Sequence, residues 1–473
     1  MAAILALTAV AKVPQQSAVN RFTNSKALAH ASAGVCVMDL KAGKVVAGTN
    51  VDRNLVTAST MKVVTAASAL KLLGDKFCYH TRVYAIGDID DTGKLSGNIV
   101  VEGGGDPTLG SRFFKERTAF VDTLMMRLQE SGITSINGDI LLDRSAIPDQ
   151  PVPGYWMLED IPESYGTGYH AINFADNQML IKFDYHNDGS YTISTPEPMP
   201  WLDLHGNLRQ HTRGDTVNRP GLTSMIYYND NSFEIDGIVA RRKRGRENFS
   251  VWYANPAPHL LLIDSIKSAL HTCGIAIAAT SSETKHLNGD TLQLLDYTSP
   301  ALPEILKSML FRSDNMYAEA VLRTLPIDSG LPATTANGVR MVNRLWKSCG
   351  LDLDELAMKD GSGLARNGLT SPQFLCEVLR DTYIHRTQLG VDLPQLLPRA
   401  GREGSVRRLL RKSPLRGKIV LKSGSMGGVQ CYAGYYPAQN PRYAVAIMVN
   451  NFSEKRSDVV SQVQTLLNNL FGN

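Results

Sequence analysis

The alternation of apolar and polar positions predicts that the two ends of the chain build one sheet. Residues 34–48 alternate on either side of a turn at 41–43, which is typical of a β-hairpin. Residues 417–452 contain three further strand-like segments, and a final helix places its apolar positions, from Val459 to Leu470, on one face. A hairpin at the start with strands and a helix at the end predicts a sheet shared by both termini. The middle of the chain is then an insertion.

The middle of the chain shows two different patterns. Residues 75–165 mix short strands with Gly- and Asp-rich turns around one helix near 118–131, which is typical of a compact α+β unit. Residues 177–256 alternate polar and apolar positions repeatedly, which predicts an all-β module with hairpin turns. The predicted domains are 12–72 with 288–473 at the two ends, 73–170 with 262–287 as an inserted α+β domain, and 171–261 as an inserted β-rich domain.

Composition and charge are those of a folded globular protein. The chain has 473 residues, of which 43% are hydrophobic and 20% charged, and its formal net charge is +4. These values argue against intrinsic disorder, and the near-neutral balance gives no basis for nucleic-acid binding. Apolar runs stay shorter than the ~20 residues of a membrane-spanning helix, so at most a peripheral membrane association is expected.

The first residues indicate export. Residues 2–11, AAILALTAVA, resemble the apolar core and small-residue cleavage site of a secretory signal, although no basic segment precedes them. Residues 1–11 are interpreted as a signal-peptide remnant and imply a periplasmic location, with a buried N-terminal helix as the alternative. The six cysteines are dispersed without a C-x-x-C pair, which argues against a zinc site, and each is interpreted as a small buried apolar residue.

One run of charge stands apart from this balance. Residues 241–246 contain five cations in six positions. The run is either a site for an anionic polymer or the solvated tip of a hairpin. The tip is favoured, because a single tip gives a small electrostatic footprint.

A serine followed three residues later by a lysine occurs at Ser59/Lys62, Ser68/Lys71 and Ser282/Lys285. A hydroxyl is a poor nucleophile until a base removes its proton, and a neutral lysine one helical turn away can do so. Ser59 lies where a loop enters a predicted apolar helix, whose first N–H groups can stabilise an oxyanion. Ser68 lies inside that helix and Ser282 in a polar surface stretch, so Ser59 is the predicted nucleophile.

Two further segments complete a constellation. Ser313-Asp314-Asn315 lies in a predicted break between two helices, where a loop can present a hydroxyl and a carboxamide together. Lys422-Ser423-Gly424-Ser425 lies at the end of a predicted strand. There the glycine permits the close approach of a ligand, and the lysine supplies a cation for a carboxylate.

In this order the three motifs resemble those of the penicillin-recognising serine enzymes, Ser-x-x-Lys, Ser-x-Asn and Lys-Thr/Ser-Gly. The chain resembles the class C penicillin-binding proteins, the penicillin-binding protein 4 or DacB family of D-alanyl-D-alanine carboxypeptidases and endopeptidases, over nearly its whole length. The further segments that carry the resemblance are Gly-Gly-Gly-Asp-Pro at 103–107, Asn-Gly-Asp-Ile at 137–140, Ser-Asp-Asn-Met-Tyr-Ala-Glu at 313–319 and Asp-Gly-Ser-Gly-Leu-Ala-Arg at 360–366. Two positions depart from the pattern, Thr57 where Pro is usual and Ser423 where Thr is common.

The resemblance implies an α+β fold and a set of roles. The fold is a serine β-lactamase/transpeptidase-like domain, an antiparallel sheet flanked by helices, split by a long insertion that forms one α+β and one mostly β domain. Ser59 is acylated and Lys62 is the base. The other implied site residues are Ser313 and Asn315 for proton transfer and substrate binding, Lys422 for the substrate carboxylate, the N–H groups of Ser59 and Ser425 as the oxyanion hole, and Ser423, Gly424 and Ser425 at the substrate.

In some relatives a side pocket for diaminopimelate uses an Asp, an Arg and a Met, and the matching positions are Asp143, Arg366 and Met426. The free ammonium and carboxylate of diaminopimelate suit such a pair of charges. The alternatives are an interdomain salt bridge for Asp143 and Arg366 and simple packing for Met426. The implied partners are peptidoglycan stem peptides, peptidoglycan crosslinks and β-lactam antibiotics. No cofactor or metal is implied, and both a monomer and a homodimer are compatible with the sequence.

Four functions compete for these residues. They are a serine D,D-peptidase, a β-lactamase or esterase on the same scaffold, a penicillin-binding sensor without turnover, and a carbohydrate- or polymer-binding protein that acts through its β module. The large insertion and the lack of an added deacylation base favour the peptidase over the β-lactamase. The complete set of catalytic residues argues against the sensor, and the β module lacks a clear aromatic stripe. The sequence therefore predicts a serine D,D-carboxypeptidase and endopeptidase.

Overall fold

The structure is a computed structural model that describes residues 14–148, 150–186, 191–197, 199–210, 219–224, 232–239, 248–278 and 290–472. For residues 207, 209–210, 219–224, 232–234 and 236–239 the backbone alone is described. The predicted signal remnant, 1–11, and the basic run, 241–246, lie outside the described residues.

The helices and strands follow one another in three blocks along the chain. The first block contains α1 (Gln16–Thr23), β1 (Ser32–Asp39), β2 (Lys44–Thr49), β3 (Leu55–Val56) and α2 (Met61–Leu72). The middle block contains β4 (His80–Ile89), β5 (Lys94–Glu102), α3 (Ala119–Glu130), β6 (Ser135–Ile136), β7 (Ile140–Asp143), β8 (Gln178–Tyr185), β9 (Tyr191–Ser194), β10 (Asp203–Gln210), β11 (Arg219–Ser224), β12 (Ser232–Val239), β13 (Phe249–Ala254), α4 (Pro258–Thr272), β14 (Ala276–Ile277) and β15 (Thr291–Thr298). The last block contains α5 (Leu302–Arg312), α6 (Asn315–Thr324), α7 (Thr335–Ser348), β16 (Leu356–Ala357), β17 (Leu369–Thr370), α8 (Pro372–Ile384), α9 (Leu393–Leu396), β18 (Val420–Met426), β19 (Val429–Tyr436), β20 (Tyr443–Asn450) and α10 (Arg456–Phe471).

The two ends of the chain build one antiparallel sheet, with the strand order β18-β19-β20-β1-β2. The first strand, β1, forms a hairpin with β2 and pairs on its other side with β20, from Ser32 opposite Asn450 to Asp39 opposite Tyr443. This confirms the predicted sheet that joins both termini, and it leaves β18 at an edge.

Helices cover both faces of this sheet. Because successive side chains of a strand point to opposite faces, each strand contributes residues to the cores on both sides. Cys36 and Met38 pack in the core that contains α2, α5, α6 and α8, whereas Val35 and Val37 pack on the other face with α1 and α10. All residues of β19 and β20 are buried. Burial on both faces explains why β20 is an unbroken apolar run instead of an alternating one.

The middle block forms a six-stranded sheet, in the order β14-β6-β5-β4-β15 with β7 beside β5, and two three-stranded sheets, β13-β8-β9 and β10-β12-β11. Helices α3 and α4 pack on the larger sheet through Leu124 and Leu262. The predicted helix near 118–131 and the strand-rich character of 177–256 are thus observed. The larger sheet ends with β15, which pairs with β4. It therefore extends past the predicted return at 288, because the residue pattern of a strand does not show which sheet the strand joins.

Candidate active site

The turn before α2 presents Ser59 next to Lys62. Ser59 lies in a single 3-10 turn at 58–60, and Lys62 Nζ donates a hydrogen bond of 3.0 Å to Ser59 Oγ. Ser59 is partly exposed, whereas Lys62 has no exposed surface. Ala58, just before the serine, has a φ of +43°. This left-handed backbone is unfavourable for alanine, and such strain is typical of functional sites.

The Lys62 amine is held by three acceptors and shielded from water. Besides Ser59 it donates to Asn315 Oδ1 at 2.6 Å and to the carbonyl oxygen of Ser362 at 2.8 Å. Burial lowers the pKa of Lys62 to about 8, although Asp360 and the other nearby carboxylates favour the charged form. A lysine with this pKa is neutral often enough near neutral pH to accept a proton.

A buried carboxylate network supports the amine from behind. Glu319 on α6 accepts hydrogen bonds from the N–H groups of Gly361, at 3.1 Å, and Ser362, at 2.9 Å. Asp360 accepts from the N–H groups of Gly363 and Ala365, at 2.7 Å each. Burial and the neighbouring Asp360 charge raise the pKa of Glu319 above its usual range. The two carboxylates fix the loop whose carbonyl oxygen, from Ser362, binds Lys62.

The second motif lies at the break between α5 and α6. Ser313 ends α5 with a φ of +64°, in the left-handed region that is unusual for a residue other than glycine. Asp314 caps α6 by accepting the N–H of Tyr317 at 3.1 Å. Asn315 uses both ends of its amide, since Oδ1 accepts from Lys62 and Nδ2 donates to the carbonyl oxygen of Tyr165 at 2.7 Å. The break therefore brings the hydroxyl and the amide to the base.

The third motif runs along the edge strand β18. Lys422 Nζ, fully buried, donates to Ser313 Oγ at 2.8 Å and to the carbonyl oxygen of Ser423 at 2.5 Å. Burial and the charge of Lys62 lower the pKa of Lys422 well below its usual range. Ser423 Oγ lies 2.7 Å from Ser405 Oγ, and Ser425 is exposed.

Gly424 is the point at which β18 passes the nucleophile. A Cβ atom at this position would lie 2.8 Å from the backbone nitrogen of Ser59 and 2.8 Å from the carbonyl oxygen of Thr57. These separations are too short for any side chain, so only glycine allows the strand to lie this close to the turn. The first and third motifs thus meet backbone to backbone.

Thr57, the position that departs from the family pattern, has a fully buried side chain. Its backbone N–H donates to the carbonyl oxygen of Gly368 at 3.3 Å, a bond that proline could not make. The departure thus adds one backbone contact between the turn that carries Ser59 and the segment before β17.

The residues suggested for a side pocket are only partly brought together. Arg366 is exposed beside the turn after β18, where a Cβ atom at Gly427 would lie 3.7 Å from its Nη2, and Met426 is the last residue of that strand. Asp143 ends β7, and its Oδ1 accepts the N–H of Ser145 at 2.9 Å. In the described part of the chain, no hydrogen bond or ion pair joins Asp143 to Arg366.

The serine of the second Ser-x-x-Lys pair, inside α2, is structural. Ser68 is buried, and its Oγ accepts the indole N–H of Trp346 at 2.9 Å and donates to the carbonyl oxygen of Val64 at 2.7 Å. Its partner in the motif, Lys71, forms a salt bridge with Asp381 instead of reaching the serine. Two Ser-x-x-Lys pairs on one helix therefore have different environments.

The sequence analysis missed the part that the insertion contributes to the site. Trp156 donates its indole N–H to Asp360 Oδ2 at 2.8 Å, and Tyr165 supplies the carbonyl oxygen that binds Asn315. Arg323 of α6, almost fully buried, donates to the carbonyl oxygens of Pro148 and Gln150. The Asp-Gly-Ser-Gly segment was a signal for Asp360, but nothing local marks partners 150 to 204 residues away.

Other candidate features lie apart from this cleft. A cavity of about 980 Å³ between α3 and α4 is lined by residues such as Met125 and Leu261 and by none of the three motifs.

Within the described ranges, no group of three or more His, Cys, Asp or Glu side chains could hold a metal ion. No helix in these described ranges is both long enough and apolar enough to cross a membrane. All six cysteines are free thiols, and Cys273 is exposed in spite of the predicted burial.

Known proteins share this architecture along the whole chain. The profile of the D-Ala-D-Ala carboxypeptidase 3 (S13) family matches residues 15–470. The D-alanyl-D-alanine carboxypeptidase DacB of Haemophilus influenzae is 26% identical over 453 residues, which cover 93% of this chain and 91% of that protein. A D-alanyl-D-alanine carboxypeptidase of Actinomadura sp. is 24% identical over 455 residues, which cover 92% of this chain and 80% of that protein.

A solved structure agrees with these sequence matches. The crystal structure of penicillin binding protein 4 (dacB) from Haemophilus influenzae superposes with a TM-score of 0.81 at 25% sequence identity, covering 96% of this chain and 99% of that one. The same protein complexed with a novel β-lactam superposes with a TM-score of 0.77 at 24% identity, covering 96% and 99% of the two chains.

Proposed function

The chain belongs to the D-Ala-D-Ala carboxypeptidase 3 family of serine carboxypeptidases, and from this premise we propose that it works through an acyl-enzyme on Ser59. We further propose that it removes terminal D-Ala from peptidoglycan stem peptides and also cuts D-Ala–diaminopimelate crosslinks. The observation that carries the proposal is the hydrogen bond of 3.0 Å from the buried Lys62 Nζ to Ser59 Oγ. It joins a nucleophile to a base whose pKa is lowered.

Acylation begins when Ser59 Oγ attacks the carbonyl carbon of the penultimate D-Ala and its proton passes to neutral Lys62 Nζ. The carbonyl oxygen becomes an oxyanion that accepts hydrogen bonds from the backbone N–H groups of Ser59 and Ser425. The C–N bond then breaks, the leaving nitrogen takes the proton from Lys62 by way of Ser313, and D-Ala departs while Lys62 becomes neutral again. The hydrogen bond from Lys422 to Ser313 supports this proton path. Water then loses a proton to Lys62 and attacks the ester carbonyl carbon. As the bond between Ser59 Oγ and that carbon breaks, Lys62 returns the proton to Ser59 Oγ, and the shortened peptide leaves with a free carboxyl group.

Substrate binding falls to the third motif. The Lys422 amine and the hydroxyls of Ser423 and Ser425 provide donors for the terminal carboxylate of the peptide. The Asn315 amide is already engaged at both ends, by Lys62 and by the Tyr165 carbonyl. Asn315 therefore acts first as a residue that positions the base, and it contacts the substrate only by exchanging its Tyr165 partner.

The diaminopimelate end of a crosslink is recognised by charge. Arg366 is exposed beside Met426 at the end of β18 and offers a guanidinium to the free carboxylate. Asp143 offers the anion for the free ammonium. Neither residue forms an ion pair in the described part of the chain, so both charges are available to a ligand.

We assign the enzyme to the periplasm, where its substrate lies, with β-lactams as acylating inhibitors. A β-lactam carbonyl meets the same nucleophile and oxyanion hole as the peptide carbonyl. The domain division, with the two chain ends as the catalytic domain and an α+β and a β-rich insertion, is part of the same proposal. Its support is the sheet shared by β1, β2 and the last three strands.

The test combines a labelled penicillin with two peptide substrates, a diaminopimelate-containing pentapeptide and a crosslinked muropeptide. The proposal requires a covalent penicillin adduct on Ser59, D-Ala release from the pentapeptide and cleavage of the crosslink. An adduct without any cleavage would indicate a sensor, and rapid loss of the adduct without peptide cleavage would indicate a β-lactamase. Release of D-Ala with an uncut crosslink would remove the endopeptidase part alone.

The side pocket has its own control. Asp143→Asn should reduce cleavage of diaminopimelate-containing substrates about tenfold or more, which corresponds to the loss of one charge-assisted hydrogen bond. Turnover of a simple acyl-D-Ala-D-Ala, which lacks the ammonium, should stay unchanged. An equal loss on both substrates would mean that Asp143 supports the fold and not the pocket.

A further inference from the structure

A cluster of arginines faces a small cavity beside the third motif. Between residues 399 and 418 the chain has eight basic residues and one acidic residue, whereas its total net charge is only +4. The basic charge is therefore concentrated in this segment. A cavity of about 320 Å³ is lined there by Gly401 and five arginines, Arg402, Arg407, Arg408, Arg411 and Arg416.

Among the described residues, the arginines have no anionic partner. All five side chains are exposed, and none forms an ion pair with a described residue. The single acid of the segment, Glu403, is occupied by the backbone N–H of Arg399 at 3.0 Å. Guanidinium groups that share one cavity repel each other, and a bound anion would relieve this repulsion.

The segment that carries the cluster is firmly anchored, which argues against a merely solvated loop. Four of its apolar side chains pack in the core beneath α10, namely Val406, Leu409, Leu410 and Leu415. The Leu410 N–H donates to Gln464 Oε1 at 2.9 Å, and Ser413 Oγ donates to Asn468 Oδ1 at 2.5 Å. Leu410 also has a φ of +59°, a left-handed conformation that leucine rarely adopts. The turn at Leu410 thus fixes the backbone from which the flanking arginines extend.

Two of the arginines are fixed further by glycines. Arg416 Nε donates to the carbonyl oxygen of Gly401 at 3.2 Å, and a Cβ atom at Gly417 would lie 2.5 Å from Arg402 Nε. A side chain at Gly417 would therefore push Arg402 out of the cavity. Arg402 and Arg416 are therefore positioned before any ligand binds, which lowers the entropic cost of binding.

We propose that this cavity is a binding site for a phosphoryl group of an anionic envelope component. Five guanidiniums around about 320 Å³ require several negative charges in a small volume. A phosphate monoester or diphosphate supplies two or more charges, whereas a carboxylate supplies one. The planar fork of arginine also matches phosphate oxygens in pairs.

The site adjoins the catalytic cleft and is formed without an apolar rim. Ser405, two residues before Arg407, hydrogen-bonds through Oγ to Ser423 Oγ of the third motif at 2.7 Å. A bound phosphoryl group would therefore hold the edge of β18 next to the envelope component. No large apolar side chain of residues 399–418 is exposed, which favours a phosphorylated polymer or soluble group over insertion into a bilayer.

The test is calorimetric titration of the full chain with inorganic pyrophosphate. The site variant is Arg408→Gln/Arg411→Gln, because these two side chains make no hydrogen bond in the described structure. The matched control is Arg340→Gln/Arg344→Gln, two exposed arginines of α7 that remove the same charge. We expect saturable binding that the site variant weakens about tenfold or more and the control leaves within about twofold. Replacement by lysine at both site positions should give an intermediate loss, since charge stays but the fork is gone.

A vesicle arm separates the two sources of a phosphoryl group. Capture on vesicles that contain phosphatidic acid, whose headgroup is a phosphate monoester, would assign the group to a lipid headgroup if pyrophosphate competes it away and the site variant loses it. Pyrophosphate binding without vesicle capture would assign it to a soluble or polymeric phosphate. The proposal is overturned by absent pyrophosphate binding or by equal weakening in both variants, with thermal unfolding used to show that each variant is folded.

Discussion

The amine nitrogen of Lys62 lies 3.0 Å from the hydroxyl oxygen of Ser59, at a position where the lysine is closed to solvent. Two influences on the amine oppose each other there. Burial disfavours the ammonium, while the carboxylates of Asp360, Asp314 and Glu319 favour it. Burial has the larger effect, so the pKa of Lys62 falls below its usual value. The carboxylates limit the fall to about 8. The carboxylates thus keep the lysine from losing its proton altogether, and it can cycle between base and acid.

This balance predicts the pH dependence of acylation. Only the neutral amine can accept the Ser59 proton, so the rate constant for penicillin acylation should rise about tenfold per pH unit at low pH. It should level off once the pH exceeds the Lys62 pKa of about 8. Labelling rates across roughly pH 6 to pH 10, with thermal unfolding in the same buffers, provide the measurement. A rate that is flat or falls over this range would contradict the role of Lys62 as the base.

Ser59, in the turn before α2, and Ser68, inside α2, provide a matched pair of variants. Ser59→Ala should abolish penicillin labelling and leave the free energy of unfolding nearly unchanged, because Ser59 is partly exposed. Ser68→Ala should keep labelling but cost about 1–3 kcal/mol, because the indole N–H of Trp346 loses its buried acceptor. Chemical denaturation and mass spectrometry of the labelled protein measure the two effects. Labelling that survives in Ser59→Ala would refute the assignment of the nucleophile.

The contact between β18 and the Ser59 turn predicts the effect of a single methyl group. Gly424→Ala would place Cβ 2.8 Å from the Ser59 nitrogen, so the strand must move and the oxyanion donors with it. We expect a destabilisation of about 1–3 kcal/mol and a strong loss of acylation.

Gly427→Ala is the control for this methyl group. Its Cβ would meet nothing closer than Arg366 at 3.7 Å, so the change should be tolerated. Comparing acylation rates and denaturation midpoints of the two variants checks this prediction. Equal tolerance at both positions would show that β18 does not need to lie so close to the nucleophile.

Local patterns were sufficient to predict several of the elements and to find the three motifs. The 34–48 hairpin, the break at Ser313 and the apolar strands after residue 417 were each predicted from sequence and are present as β1–β2, the α5–α6 junction and β18–β20. These features depend on neighbours in the chain, through periodicity and turn chemistry.

Long-range contacts could not be predicted in the same way. Trp156 and Asp360 are 204 residues apart, and Tyr165 and Asn315 are 150 apart, yet each pair is hydrogen-bonded. The sequence contains no pattern that predicts which distant residue an indole N–H or a backbone carbonyl will hydrogen-bond. The arginine cluster was missed for a different reason: its basic residues lie within one segment, 399–418, but the total net charge of +4 averages them with acids elsewhere in the chain.

The left-handed backbone at Ser313 predicts a conflict between stability and activity. Its φ of +64° is unfavourable for serine or alanine but not for glycine. Ser313→Gly and Ser313→Ala both remove the hydroxyl that accepts from Lys422, so both should lose acylation to a similar degree, about 10²–10⁴-fold if the hydroxyl carries the proton. Their stabilities should differ, because only alanine retains the unfavourable conformation, and we expect Ser313→Gly to be more stable by about 1 kcal/mol. Denaturation curves and labelling rates of the two variants test both parts. Equal stability would show that the conformation carries no strain, whereas retained acylation in either variant would remove Ser313 from the proton path.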